Sequence, residues 1–126
     1  MIQAVVGLIF KGNKILLGKS TQPDFRLGKY CFVAGGCEEG ENIYDTITRE
    51  AKEEAGLVVK PRIGFAFRTK KRPHIAYVVC DYISGEINFN HEFENMNWYN
   101  LDNIPSDTLK SNKQLIDLIL KSQSKK

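Results

Sequence analysis

Apolar and polar positions follow two different periods along this 126-residue chain, and each change of period marks an element. Residues 2–10 (IQAVVGLIF) are a near-continuous apolar run and read as a strand. Lys11-Gly12-Asn13 is a turn signal and KILLGKS (14–20) a second strand, so the two predict a hairpin. Residues 21–29 form a polar loop, and GKYCFVAGG (28–36) reads as a short strand running into a tight glycine loop. The period then lengthens. Ile43, Ile47 and Ala51 recur every four residues and predict a helix from about Asn42 to Ala55, with Gly56 as its stop. LVVKPRIGFAFRTK (57–70) is strand-like, with Pro61 marking an edge or a break. KKRPH reads as a turn and IAYVVCDYI (75–83) as a strand. Ser84-Gly85 turns the chain ahead of EINFN (86–90), a strand follows near 95–100, and Asp102 to Pro105 is a turn. A last helix is expected over 111–121, with Ser111 and Gln114 as a capping box and Leu115, Leu118 and Ile119 as its apolar face. The tail from about 121 to 126 is polar.

These elements predict an α/β protein with a mixed sheet between helices, built as one domain over residues 1–126. No repeat, low-complexity segment or linker divides the chain. A net charge of +3 is mild; it suits an anionic small substrate and does not by itself argue for nucleic acid. Cys31, Cys37 and Cys80 are odd in number and lack C-x-x-C spacing, which speaks against a disulfide framework or a cysteine metal site and for a reducing cytosol. The apolar start AVVGLIF is too short to span a bilayer and lacks a basic flank, so no membrane association is expected.

The polar face of the first helix breaks the rules of stability. Glu50, Glu53 and Glu54 stand at i, i+3 and i+4 and so share one face. Like charges at that spacing cost roughly 0.2–0.5 kcal/mol per pair. Glu53 and Glu54 also lie in the last turn, where the helix dipole is already negative and a stable helix would carry Lys or Arg. A solvated face paired with Arg49 and Lys52 is the plain alternative. The penalty, however, is concentrated where a divalent cation would relieve it, and hard cations such as Mg²⁺ take oxygen ligands. Gly35 and Gly36, just ahead of the helix, permit close approach of the backbone to a ligand.

Gly35, Glu41, Arg49, Glu50, Glu53, Glu54 and Gly56 fall in GGCEEGENIYDTITREAKEEAGL (35–57) in the pattern G-x5-E-x7-R-E-U-x-E-E-x-G-U, where U is usually aliphatic. Seven specified residues make a chance match rarer than about one in a million. The pattern resembles the Nudix box, the signature of hydrolases acting on nucleoside diphosphates linked to another group. The resemblance implies an α/β/α sandwich with a central mixed β-sheet. It also implies metal-dependent hydrolysis of a pyrophosphate linkage, in which carboxylates matching Glu50, Glu53 and Glu54 hold Mg²⁺ or Mn²⁺. It further implies that Glu41 and Arg49 pair to orient that face and that the Ala34 carbonyl completes the metal shell. A later glutamate, Glu92 or Glu94 with Glu94 favoured, would serve as ligand or general base. Val33-Ala34-Gly35 stands where many members have Pro-Gly-Gly or Pro-Ala-Gly, and Ala51 where a larger aliphatic is commoner.

Substrate contacts are sought among the remaining basic and aromatic residues. Lys60, Arg62, Arg68, Lys70, Lys71 and Arg72 cluster on one hairpin, where solvated surface is the ordinary reading. Arg68 follows the alternating Phe65 and Phe67 and could clamp a phosphate. Phe25, Tyr30, Phe67, Trp98 and Tyr99 are candidates to stack on a base. His74 and His91 read as surface residues. Pro73, 16 residues after Leu57, resembles a marker of ADP-ribose pyrophosphatases, although a hairpin turn explains it as well. The expected substrate is a small nucleotide: a nucleoside triphosphate, or ADP-ribose or a nucleotide sugar. An RNA 5′ end and a catalytically weak nucleotide-sensing module are the alternatives, and the chain is expected to act as a monomer or homodimer.

Overall fold

The computed structural model describes residues 2–124, so Lys125 and Lys126 of the expected polar tail lie outside the described residues. The chain forms β1 (Ala4–Lys11), β2 (Lys14–Ser20), β3 (Tyr30–Cys31), β4 (Val33–Gly36), α1 (Ile43–Ala55), β5 (Val58–Thr69), β6 (Arg72–Ser84), β7 (Phe93–Asn100) and α2 (Lys110–Ser124). All seven strands join one sheet. The β1–β6 pair is parallel and the others are antiparallel, as a mixed sheet requires.

The expected hairpin of β1 and β2 is closed only at its turn, with Phe10 opposite Ile15 and Lys11 opposite Lys14. Beyond that the two strands fork. The segment 30–36 fills the fork, pairing first with β2 through β3 and then with β1 through β4. Its last pairs, Val5 with Gly35 and Ala4 with Gly36, lie at the open end of the fork. On the outer sides, β6 pairs with β1 and β7 with β2. β5 is an edge strand, and its register slips between Pro61 and Ala66, as a proline without an N–H favours.

Alternation along the strands splits the core between the two faces. Val5, Ile9, Leu16, Val33 and Val78 pack with Ile47, Ala51 and Ala55 of α1. Leu8, Ile15, Leu17, Phe32 and Tyr77 pack with Ile116 of α2 on the other face. The helices therefore sandwich the sheet, because each strand sends successive side chains to opposite sides.

Several details depart from the sequence reading. The β5–β6 turn is only Lys70-Lys71, and Arg72-Pro73-His74 already belongs to β6. Helix α2 begins at Lys110 and continues through Ser124, so Ser111 is inside it and cannot cap it; the Ser111 hydroxyl is buried without a hydrogen-bond partner. Leu115 and Ile119 pack on the core as expected, but Leu118 is 60% exposed and Ile116 is fully buried in its place, because the buried face is centred on Asn112 and Ile116.

The end of α1 fixes the chain's path out of the site. Gly56 adopts φ 72°, and its N–H donates to Lys52 O at 3.0 Å while Leu57 N–H donates to Ala51 O at 3.2 Å, a closure by a left-handed glycine. A Cβ at Gly56 would also press on Asn88 at 3.0 Å. Gly56→Ala should therefore destabilise the protein by about 1–2 kcal/mol, the usual cost of a left-handed non-glycine residue, seen as a lower urea midpoint with an unchanged slope. An unchanged midpoint would mean that the closure does not depend on this conformation.

Candidate active site

Asn42 starts the site by capping α1: its side chain accepts the Asp45 N–H at 2.9 Å. From the helix so begun, Arg49 projects back over the preceding loop and distributes its N–H groups among four residues. Nε donates to Glu41 Oε2 at 2.7 Å, and Nη2 donates to Glu41 Oε1 and Gly36 O, both at 3.0 Å. Nη1 donates to Glu50 Oε1 at 2.6 Å and Glu53 Oε2 at 3.1 Å. Glu38 lies 3.5 Å from the same Nη1. Glu41 also accepts the Glu38 N–H at 2.9 Å and the Thr46 hydroxyl at 3.1 Å. Arg49 first, and then these donors, hold the Glu41 carboxyl down at about 2, so it stays ionised.

The three metal-ligand candidates differ in burial, although Glu50 and Glu53 meet at the same Arg49 Nη1. Glu50 and Glu54 are buried at 8% and 2% exposure, between α1 and β4, whereas Glu53 is exposed and turned onto Arg49. Gly35 makes room for Glu50, since a Cβ there would overlap the Glu50 carboxylate. Glu54 is driven toward its neutral form, its carboxyl pushed up to about 10. Burial is the main cause, followed by a hydrogen bond with Glu50 and the charges of Glu92 and Glu50; a backbone hydrogen bond from Ala34 opposes them. Among the described residues no three His, Cys, Asp or Glu side chains converge as a ligand set. The donors nevertheless fit a hard divalent ion: they are oxygens on one helix end, and the buried pair repels itself in the way such an ion would relieve.

The two later glutamates separate. The segment after β6 folds back on the end of α1, with Asn88 N–H donating to Ala55 O at 2.9 Å and Asn90 N–H to Glu54 O at 3.1 Å. These bonds satisfy carbonyls that a helix end leaves open. They bring Glu92 close enough for its charge to act on Glu54 and on Arg26. Glu94, the favoured residue, instead sits 3.4 Å from Lys19 on the β2–β7 bulge. A strand bulge and a loop docked on a helix terminus leave no mark in local sequence pattern.

Other expected contacts also lie elsewhere. Trp98 packs edge-on against Tyr82 with Lys11 over both rings, at the end of β1 away from Gly35. Tyr30 meets Tyr99 edge-on on the α2 face, and its hydroxyl accepts the Asn95 side-chain N–H at 3.1 Å. Phe67 stacks on Tyr77 at 5.3 Å between centroids. Phe67 and Arg68 line a hollow of about 630 Å³ near the start of α1, where Arg68 makes a long bond to Pro73 O at 3.4 Å.

One cleft was missed by the sequence reading. A cavity of about 170 Å³ on the α2 face is lined by Val6, Arg26, Phe32, Ala34, Tyr77 and Asn112, among others. Ala34 belongs both to this lining and to the hydrogen bonding of Glu54. Asn112 closes the cavity by accepting the Phe32 N–H at 3.0 Å, and the unpartnered Ser111 hydroxyl lines it too.

The NUDIX domain model matches residues 1–119. The chain belongs to the NUDIX family. Among curated Nudix relatives, a NAD-capped RNA hydrolase NudC from Pseudomonas aeruginosa (strain LESB58) is 31% identical, with 96% of this chain and 45% of that protein covered. An ADP-ribose pyrophosphatase from Methanocaldococcus jannaschii is 34% identical, with 81% and 63% covered. The chain thus spans about half the length of the curated relatives it matches. Among solved structures, a MutT protein from Methanosarcina mazei Go1 shares the fold with a TM-score of 0.71, 20% identity and 99% and 96% coverage. Among the described residues no helix is long and apolar enough to cross a membrane.

The raised carboxyl of Glu54 makes stability fall with pH. The folded state holds a proton that the unfolded state releases near 4.5, so stability should decline from about pH 4.5 upward until Glu54 ionises near 10. The slope is at most about 1.4 kcal/mol per pH unit. In chelator-treated protein, Glu54→Gln should flatten that decline and raise the melting temperature above wild type at pH 8. Equal pH profiles for the two proteins would show that Glu54 is ionised in the fold.

Proposed function

We propose that this chain is a metal-dependent Nudix pyrophosphohydrolase that cleaves the diphosphate linkage of a small nucleotide, a nucleoside triphosphate or an ADP-ribose-like compound. The observation that carries the reading is the buried Glu50–Glu54 pair at the end of α1, with Gly35 cleared of any side chain above it. Glu50, Glu53 and Glu54 would hold Mg²⁺ or Mn²⁺, with Ala34 beside them. A bound cation supplies charge neutralisation at the phosphates and a more acidic water.

The remaining work falls to residues of the chain. Arg49, anchored on Glu41 and Gly36 O, keeps Glu50 and Glu53 in place. Glu92 is the better placed of the two later carboxylates to accept a proton from the attacking water, because its charge already reaches Glu54. The cavity on the α2 face would take the nucleoside. Arg26 suits the phosphates, and the free Ser111 hydroxyl offers a polar partner to the base or sugar. The three unpaired cysteines, two of them buried, fit a reducing compartment and support a cytoplasmic location.

Glu53→Gln and Glu54→Gln should each lower kcat by about 100-fold or more while the circular dichroism spectrum stays that of wild type. Turnover would be followed with Mg²⁺ and with Mn²⁺ on nucleoside triphosphates, ADP-ribose, nucleotide sugars and 5′-triphosphorylated RNA. Full activity in both variants would remove the carboxylates from the mechanism. Binding without product across the whole set would favour a nucleotide sensor.

A further inference from the structure

Thr21 joins the loop beside the α2-face cavity to the segment that carries Glu92. Strand β2 pairs with β7 as far as Ser20 opposite Phe93, after a register shift at Lys19. Thr21 continues the contact beyond the strands with two bonds of its own. Its N–H donates to Glu92 O at 2.9 Å, and its hydroxyl donates to His91 O at 2.6 Å. Glu92 is held from the other side through Asn90. The Asn90 side chain accepts the Glu92 N–H at 3.0 Å, and the Asn90 N–H donates to Glu54 O at 3.1 Å. The backbone at Glu92 is therefore gripped between the end of α1 and Thr21. The loop that Thr21 opens is also bonded within itself. Ser20 N–H donates to Lys29 O and Gly28 N–H to Ser20 O, both at 2.9 Å, which closes its base. Asp24 accepts the Arg26 N–H at 2.8 Å and the Arg26 Nη2 at 2.7 Å, which fixes its tip. Phe25 and Arg26 on that tip line the cavity, and the charge of Glu92 reaches Arg26.

The bond from the Thr21 hydroxyl lies at the surface, where water can replace it at little cost to folding. Its value is in placement. A general base works only within hydrogen-bond reach of the proton it accepts, and a misplacement of about 1 Å can cost roughly 100-fold in rate. The hydroxyl fixes the carbonyl of the residue next to Glu92, and the Thr21 N–H fixes the carbonyl of Glu92 itself. We propose that Thr21 is a positioning residue that sets where the Glu92 carboxylate stands and ties that placement to the loop lining the cavity. The proposal rests on the reading of Glu92 as the group that takes a proton from the attacking water. A nucleotide seated against Phe25 and Arg26 steadies a loop whose first residue holds Glu92, so binding and proton transfer share one support.

The test is a double-mutant cycle on steady-state hydrolysis of ATP and of ADP-ribose with Mg²⁺. Thr21→Val keeps the side chain's shape and the backbone bond but removes the hydroxyl donor. It should lower kcat about ten-fold and leave KM unchanged, while Thr21→Ser, which keeps the donor, should retain wild-type kcat. In a Glu92→Gln background, Thr21→Val should lower kcat no further, because the group it places is already gone. A full additional loss in T21V/E92Q would show that Thr21 acts apart from Glu92 and would overturn the proposal. Wild-type kcat in Thr21→Val, or a change in KM alone, would do the same. Wild-type kcat in Glu92→Gln would instead remove Glu92 from the mechanism and the proposal with it. If wild type turns over neither substrate, the hydrolase reading fails. Amide hydrogen exchange over residues 90–93 then decides: protection lost in Thr21→Val supports the grip on this segment, and unchanged protection refutes it.

Discussion

Two buried carboxyl groups facing each other across the end of one helix set the terms for everything around them. Glu50 is paired with Arg49, whose Nη1 lies 2.6 Å away. Glu54 has no ion-pair partner among the described residues and is driven toward its neutral form. A protein selected for stability alone would fill this space with apolar side chains, since a buried charge costs more than a well-packed methyl. Instead, the surroundings preserve the pair. Gly35 gives up its side chain, Asn42 and Gly56 fix the ends of the helix, and Glu41 is kept ionised so that it can anchor Arg49. Arg49 is the hub of that arrangement. Its fork-shaped donors bind one carboxylate bidentately and still reach two others, which a lysine cannot do.

The box was legible in the sequence because it is local. Helical spacing puts Glu50, Glu53 and Glu54 within a turn, a glycine ends the helix, and no tertiary information is needed to see either. The strands were legible for the same reason: β1, β2 and β6 are apolar runs bounded by turn signals, and Pro61 marked an irregular edge strand. What was lost depended on distant pairing. The position of Glu92 follows from Asn88 and Asn90 docking on carbonyls more than thirty residues earlier. Glu94 is diverted by a bulge opposite Lys19. The start of α2 was placed one residue late because Ser111 and Gln114 matched a capping pattern, while the structure uses Ser111 as a cavity-lining hydroxyl. Aromatic residues were the least informative, since Trp98 and Tyr30 can serve a core or a base equally well by composition.

Charge shows a similar division between what a total and a placement can say. A net charge of +3 gave no direction, because it averages a basic hairpin with an acidic remainder. The fold separates the two signs in space. Carboxylates gather at the end of α1, Lys70, Lys71, Arg72 and Lys110 line a groove on the α2 side, and Arg26 is ion-paired to Asp24 and within the field of Glu92. An anion entering the groove would meet attraction first and repulsion only at the carboxylates, where a divalent ion is needed to complete the approach.

Both regions are fastened to the seven residues that fill the fork between β1 and β2. Gly35 and Ala34, at one end, set the space over Glu50 and hydrogen-bond Glu54. Phe32 donates its N–H to Asn112, and Tyr30 accepts the Leu109 N–H at 2.8 Å, so the same segment holds the start of α2 and with it the cavity wall. A shift of this segment by one residue would turn every side chain to the opposite face. It would move the carboxylate roof and the nucleoside cavity together, not one against the other. The distance between the place where a nucleotide could lie and the place where its diphosphate would react is therefore a property of one short strand pair. That leaves the turn at 70–71 free to vary without disturbing the spacing of the reacting groups.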